Sequence, residues 1–132
     1  KFTIAALNET LRSYMNEEYK EIPTVRDILK TPEEIREVVW RLKRKVEDHS
    51  SLHIRIIEEF SQVGGGTMPD VKLPTFCLGL KHFKGADYLA RAFRNYRTPI
   101  IVRIKGEEVL LDLRTISDDE LLTVEDAIRS ID

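Results

Sequence analysis

The amino-acid sequence predicts an α+β domain in which a small antiparallel sheet carries helices on one side. Apolar residues recur at helical spacing up to about residue 48, alternate with period two from Leu52, and are followed by hairpin and helix-capping signals. The chain has 132 residues, 42% hydrophobic and 33% charged, the balance of a single globular domain. Its apolar runs fall short of the roughly 20 residues that a membrane-spanning helix needs, which argues against a membrane protein.

Three helices are predicted in the first third of the chain. Apolar residues recur every three or four positions over Phe2–Met15 without a glycine or proline. Pro23 breaks that pattern and begins a short second helix, because proline is favoured in the first helical turn. Thr31, followed by a proline and by Glu34 three positions later, is a capping box that predicts a third helix through about Asp48.

The period then changes from helical to alternating. Leu52, Ile54 and Ile56 alternate with His53, Arg55 and Ile57, which predicts a strand. Residues 60–69 are predicted to form a loop, and residues 75–82 a second strand.

The last third predicts a helix, a hairpin and a final helix. Residues 85–97 have helical spacing, and two short strands, 99–104 and 108–115, flank a turn centred on Gly106. Ser117 and Glu120 form a second capping box that opens the last helix.

Charge is unevenly distributed along the chain. Residues 81–105 contain seven basic residues and one acidic residue, whereas residues 106–132 contain nine carboxylates and two arginines. A concentrated basic segment can attract phosphate groups, although such segments are also ordinary solvated surface.

Three charged residues of the hairpin are predicted to share one sheet face. Arg103, Asp112 and Arg114 project to the same side whether the turn is 105–106 or 106–107, because both registers preserve the alternation. They form either a structural arginine–aspartate pair or a planar, bidentate site for a carboxylate or phosphate.

The glycines Gly64, Gly65 and Gly66 are costly to order, so they predict positive φ angles, a close approach of another group, or a hinge. Their spacing does not fit the dinucleotide-binding or P-loop motifs. They form either a structural crossing loop or, with Gln62, a loop that faces an active site.

Metal and thiol chemistry are not predicted. His49 and His53 lie four apart but straddle a predicted helix-to-strand junction, so they do not share a helix face. Cys77 is the single cysteine and sits on an apolar strand, which favours a core position and a reducing, cytoplasmic location.

Several stretches of the chain resemble the motifs of one enzyme family. The predicted loop contains Ser61–Pro69, S-Q-V-G-G-G-T-M-P, which is similar to the S-Q-[VI]-G-G-G-[ST]-[LM]-P motif of the bacterial selenocysteine synthase family, L-seryl-tRNA(Sec) selenium transferase. Other similar stretches follow in the same order as in the family: Lys1–Arg12, Leu73-Pro74, Pro99–Ile104 and Leu111–Thr115. The resemblance extends in order from Lys1 to about Asp119.

The resemblance implies a fold-type-I pyridoxal phosphate enzyme. Such an enzyme converts seryl-tRNA(Sec) to selenocysteinyl-tRNA(Sec) with selenophosphate as donor, and works as a large cytoplasmic homo-oligomer. The family's cofactor lysine lies upstream of the segment that resembles Lys1, so no cofactor-binding or catalytic residue is expected here. Residues 1–49 would join a large domain, residues 50–132 would be the C-terminal small domain, and the fragment would be inactive alone.

By the same resemblance, Arg114, supported by Asp112 and with Arg103 on the same face, would recognise an anionic part of the substrate. Two other readings stay open. One is the small domain of a related pyridoxal phosphate-dependent lyase acting on a small amino or sugar acid. The other is a non-catalytic module that contacts tRNA or supports assembly.

Overall fold

The computed structural model describes residues 1–63 and 68–132, with residues 68–70 described by their backbone. The chain divides into two compact units, Lys1–Lys30 and Thr31–Asp132. The predicted division into residues 1–49 and 50–132 concerns the link to a longer protein and stays a prediction. The glycines Gly64, Gly65 and Gly66 lie outside the described residues.

The first unit contains two helices and the turn between them. Helix α1 covers Phe2–Met15, a 3-10 turn covers Tyr19–Glu21, and helix α2 covers Pro23–Leu29 with the proline in its first turn. Both helices were predicted. The apolar residues of α1 are largely exposed, from 50% at Leu11 to 93% at Phe2.

Helix α3, Pro32–Val46, opens the second unit with the predicted capping box. The Glu34 backbone N–H donates to Thr31 Oγ1 at 3.2 Å, and the Thr31 N–H donates to Glu34 Oε2 at 2.7 Å. These bonds satisfy two donors that a helix start leaves without intrahelical partners. The helix buries one apolar face: Ile35, Val39, Leu42 and Val46.

Four antiparallel strands form one sheet in the order β1-β2-β4-β3. Their bounds are Leu52–Val63 for β1, Met68–His82 for β2, Arg103–Lys105 for β3 and Glu108–Asp112 for β4.

The predicted loop over residues 60–69 is wrong at both ends. Strand β1 continues to Val63 and β2 begins at Met68, because Phe60 and Ser61 pair with Pro74 and Leu73 across the ladder. Cross-strand pairing overrides the weak strand propensity of this polar stretch. The register shifts between Gln62 and Val63, the last paired positions of β1.

The β3–β4 hairpin has the predicted two-residue turn, with Lys105 paired to Glu108 around residues 106–107. Gly106 has φ +61°, a conformation that glycine adopts without steric cost. Both strands are shorter than predicted. Strand β4 ends at Asp112 because its carboxylate accepts the Arg114 N–H and turns Leu113–Thr115 into a 3-10 turn.

Helix α4 covers Ala86–Arg94, and helix α5 covers Leu121–Arg129. The Ser117 N–H and hydroxyl both donate to Glu120 Oε2, at 2.9 and 2.7 Å. These residues form a turn that precedes α5, so the helix begins four residues after Ser117.

The core lies between one face of the sheet and helices α3, α4 and α5. Leu78, Leu80, Val109 and Leu111 of β2 and β4 form one buried cluster with residues of all three helices, including Leu89, Phe93 and Ile128. The predicted arrangement of helices on one side of a small antiparallel sheet is therefore confirmed. Among the described residues, no helix combines the length and apolar character needed to cross a membrane.

Candidate functional site

The sheet has a packed face and a polar face. Strand alternation and register place Ile54, Leu80 and Val109 in one row on the packed face. The polar face contains the side chains at the intervening positions, and none of them belongs to the core cluster. Its residues include His53, Arg55, Ile57, Glu59 and Ser61 of β1, Leu73, Thr75, Cys77, Gly79 and Lys81 of β2, Arg103 and Lys105 of β3, and Glu108, Leu110 and Asp112 of β4.

Asp112 is the centre of a hydrogen-bond network on the polar face. Its Oδ1 accepts from the Thr75 hydroxyl at 3.0 Å and from the Arg114 backbone N–H at 3.1 Å. Its Oδ2 accepts from the Ser61 hydroxyl at 2.5 Å. Three strands and the 3-10 turn therefore meet at one carboxylate, which fixes their relative positions.

Arg114 is the buried cation of this network, with 5% of its surface exposed. Its Nε donates to the Ser61 hydroxyl at 3.2 Å, and its Nη2 donates to the Pro74 carbonyl at 2.6 Å. Ser61 thus accepts from Arg114 and donates to Asp112, linking the buried cation to the carboxylate. A buried charge is tolerated when such partners replace its hydration.

Arg103 reaches the same network from the edge strand, but it stays half-exposed, with 45% of its side chain accessible. Its Nη1 donates to the Phe60 carbonyl at 3.0 Å, and its Nη2 lies 3.5 Å from Cys77 Sγ. The same nitrogen is 3.6 Å from Asp112 Oδ2, an ion pair longer than a hydrogen bond.

Cys77 lies under Arg103 and is fully buried. Burial, with the nearby Asp112 carboxylate as a smaller cause, raises the pKa of the thiol to about 11. The thiol is therefore protonated at neutral pH and is a poor nucleophile. The thiol is buried, as predicted, but it lies on the polar face and outside the core cluster.

Two further ion-pair groups continue along the polar face. Arg55 donates from Nε and Nη2 to the two oxygens of the buried Glu108, at 2.7 and 2.5 Å, and Lys81 lies 4.0 Å from the same carboxylate. The Arg55 hydrogen bonds hold the pKa of Glu108 below its usual value. Lys105 forms an ion pair with Glu59 through its single Nζ atom, and the hydrogen bond in this pair lowers the pKa of Glu59.

A cavity of about 290 Å³ opens beside the network. Its lining includes Gln62, Arg103, Asp112, Arg114 and Thr115. The charged side chains of this lining are two arginines and one carboxylate, and this excess of positive charge suits a small anion.

The structure brings together Arg103, Asp112 and Arg114, the three hairpin residues singled out from the sequence. Arg114 reaches the polar face from the 3-10 turn and not from a strand. Gln62 is exposed and lines the same cavity. Within the described part of the chain, no three His, Cys, Asp or Glu residues are placed to hold a metal ion.

Sequence reasoning missed Ser61 and Thr75, the two hydroxyls that complete the network. The loop predicted over residues 60–69 includes Ser61, so the sequence prediction does not place Ser61 on the polar face. The alternation of β1 is the signal that identifies its position. Extending β1 by period two from Arg55 through Glu59 places Ser61 on the same face.

Comparisons with known proteins agree on one family. The family model for L-seryl-tRNA selenium transferase matches residues 1–117. The L-seryl-tRNA(Sec) selenium transferase of Aquifex aeolicus is 30% identical over 132 residues, and those of Alkaliphilus metalliredigens and Clostridium perfringens are each 38% identical over 135 residues. Each alignment covers 99% of this chain and 29% of the relative, so the chain spans less than a third of the length of these proteins. Since the family model covers most of the chain, the chain belongs to the L-seryl-tRNA selenium transferase family.

Proposed function

We propose that this chain is the C-terminal small domain of an enzyme that converts seryl-tRNA(Sec) to selenocysteinyl-tRNA(Sec), using pyridoxal phosphate and selenophosphate. The observation that carries the proposal is the family match over residues 1–117. The match favours a selenium transferase over the related lyase considered above. The cytoplasmic homo-oligomer implied by the resemblance is part of the same proposal.

We propose that no lysine of this chain attaches pyridoxal phosphate. A lysine that forms a Schiff base is activated by burial or by a neighbouring cation. Among the described residues, the buried acidic and basic residue types are His82, Glu108 and Arg114, and none is a lysine. Lys105 on the polar face is exposed and paired with Glu59. We therefore propose that the rest of the enzyme holds the cofactor and that this chain alone has no transferase activity.

The polar face is the part of this chain that we propose to face the active site. Its network holds a buried arginine, a half-exposed arginine and a shared carboxylate around one cavity. Gln62, near the end of β1, lines the cavity. We propose that Gly64, Gly65 and Gly66, which lie outside the described residues, also face the active site. Arginine suits this role, because its planar guanidinium can bind two oxygens of a phosphate or carboxylate at once.

Helix α1 supports the proposed attachment to a large domain. Its exposed apolar residues include Phe2, Ile4, Leu7 and Leu11. More than two thirds of each relative's length lies outside the matched region. An apolar helix face of this extent is typical of a surface that packs against further protein.

The proposed function is tested by comparing the full-length protein with the 132-residue chain. We expect the full-length protein to produce selenocysteinyl-tRNA(Sec) from seryl-tRNA(Sec), selenophosphate and pyridoxal phosphate, and the chain alone to produce none. After incubation with pyridoxal phosphate and desalting, the chain should also lack an aldimine absorbance band. A full-length protein that leaves seryl-tRNA(Sec) unchanged but cleaves a free amino or sugar acid would contradict the proposal and favour the lyase.

A further inference from the structure

We infer that the two arginines of the network have different roles: Arg103 binds a phosphate-type oxyanion, and Arg114 positions the groups around it. The inference rests on the proposed function, because it places the anion on the face that is proposed to meet the substrate. This inference differs from the expectation based on the family resemblance, in which Arg114 binds the anionic part of the substrate.

Accessibility separates the two residues. Arg114 is 5% exposed, and its Nε and Nη2 already donate to Ser61 and Pro74. Arg103 presents 45% of its side chain to the surface. Both arginines line the cavity, and the Arg103 guanidinium is the more accessible of the two to an anion that arrives there.

The donors of Arg103 are also incompletely used. A guanidinium has five N–H donors. Within the described chain, Nη1 of Arg103 has one hydrogen-bond partner, the Phe60 carbonyl. Nη2 contacts only the Cys77 sulfur, a weak acceptor, and the Asp112 carboxylate at 3.6 Å. Nε has no partner among the described residues. These contacts orient the guanidinium plane over the polar face and leave donors for a ligand.

The Asp112 carboxylate beside Arg103 already accepts hydrogen bonds from other groups. Both oxygens of Asp112 accept hydrogen bonds, from Thr75 and the Arg114 backbone on one side and from Ser61 on the other. Ser61 in turn is held by Arg114 Nε. Asp112 therefore orients Arg103 without forming the short bidentate pair that would occupy it, and Arg114 acts as a positioning residue through Ser61.

The cavity defines the class of ligand. Its volume of about 290 Å³ is at the small end of ligand sites, enough for a compact oxyanion and a short attached group. The phosphate of a small donor and a phosphate of the RNA chain share this chemistry. Separate kinetic measurements for the two substrates distinguish them.

The experiment uses the full-length enzyme and compares Arg103→Gln, Arg103→Lys and Arg114→Lys with Arg97→Gln. Arg97 is a matched control, because it is exposed and pairs with Asp126 away from the polar face. Inorganic phosphate is titrated by calorimetry, and KM and kcat are measured separately for selenophosphate and seryl-tRNA(Sec). The thermal midpoint of each variant shows whether it is folded.

We expect Arg103→Gln to weaken phosphate binding and to raise one of the two KM values by about 10-fold or more, as the loss of a charge-assisted hydrogen bond predicts. Arg103→Lys should recover part of the loss, and Arg97→Gln should match the wild type. Arg114→Lys should lower the thermal midpoint and kcat, with a smaller effect on KM.

A raised KM for selenophosphate identifies the donor phosphate as the anion, and a raised KM for seryl-tRNA(Sec) identifies an RNA phosphate. Unchanged phosphate binding and unchanged KM values in a folded Arg103→Gln enzyme would overturn the inference. The phosphate titration needs no turnover, so it tests Arg103 even if the proposed reaction is wrong.

Discussion

The two faces of the sheet bury side chains by different means. On the packed face, Leu80 and Val109 are fully enclosed by apolar neighbours from three helices. On the polar face, Ser61, Thr75 and Arg114 are nearly as buried, but they are held by hydrogen bonds around Asp112. Apolar burial stabilises a fold directly, whereas a buried charge network must first offset the loss of hydration. We therefore propose that the polar face serves binding as well as stability.

Truncation of the packed face should have the largest effect on folding. Leu80→Ala removes a fully buried side chain and leaves a cavity, so we expect the free energy of unfolding to fall by about 3–5 kcal/mol. Urea unfolding of the 132-residue chain measures this loss. Leu122→Ala is the matched control, since Leu122 is 61% exposed and its truncation should cost well under about 1 kcal/mol. Equal losses in both variants would contradict the assignment of the core.

Removal of the central carboxylate should have the next largest effect. Asp112→Ala leaves the Thr75 and Ser61 hydroxyls without their acceptor and removes the carboxylate to which Ser61 links the buried Arg114. We expect a loss of about 2–3 kcal/mol in the same urea experiment. Glu107→Ala, in the exposed hairpin turn, is the control. If Asp112→Ala were as stable as the control, the network would contribute nothing to the fold.

The packed face was more predictable from sequence than the polar face. Period-two alternation at Leu52, Ile54 and Ile56 and the capping box at Thr31 are local signals, and the corresponding elements were found where expected. The continuation of β1 through Ser61 depends on pairing with Leu73, a partner 12 positions away that no local propensity reveals. The convergence of Arg103 with Asp112 followed from hairpin register, but the burial of Arg114 arises from a turn that Asp112 itself induces.

Acid should weaken the ion pairs of the polar face. The Arg55 hydrogen bonds lower the pKa of Glu108 in the folded state, so this carboxylate stabilises the fold fully above its unfolded pKa of about 4.3. That stabilisation is lost as pH falls through the lowered folded value. Glu108→Gln should therefore be less stable than wild type at pH 7, and the difference should shrink below about pH 4. Unfolding measured from pH 3 to 7 tests this, with Glu107→Gln as the control. A constant difference across that range would show that Glu108 does not act through its charge.

The most direct test of the functional role of the polar face is the activity of full-length Arg103→Gln measured together with its thermal midpoint. Arg103 is half-exposed and adds little to the core, so we expect the midpoint to change by less than about 2 °C. The kcat/KM for selenocysteinyl-tRNA(Sec) formation should fall by about 10- to 100-fold, the size expected for a lost charge-assisted contact. An unchanged kcat/KM in this folded variant would contradict the account and leave the polar face a structural feature.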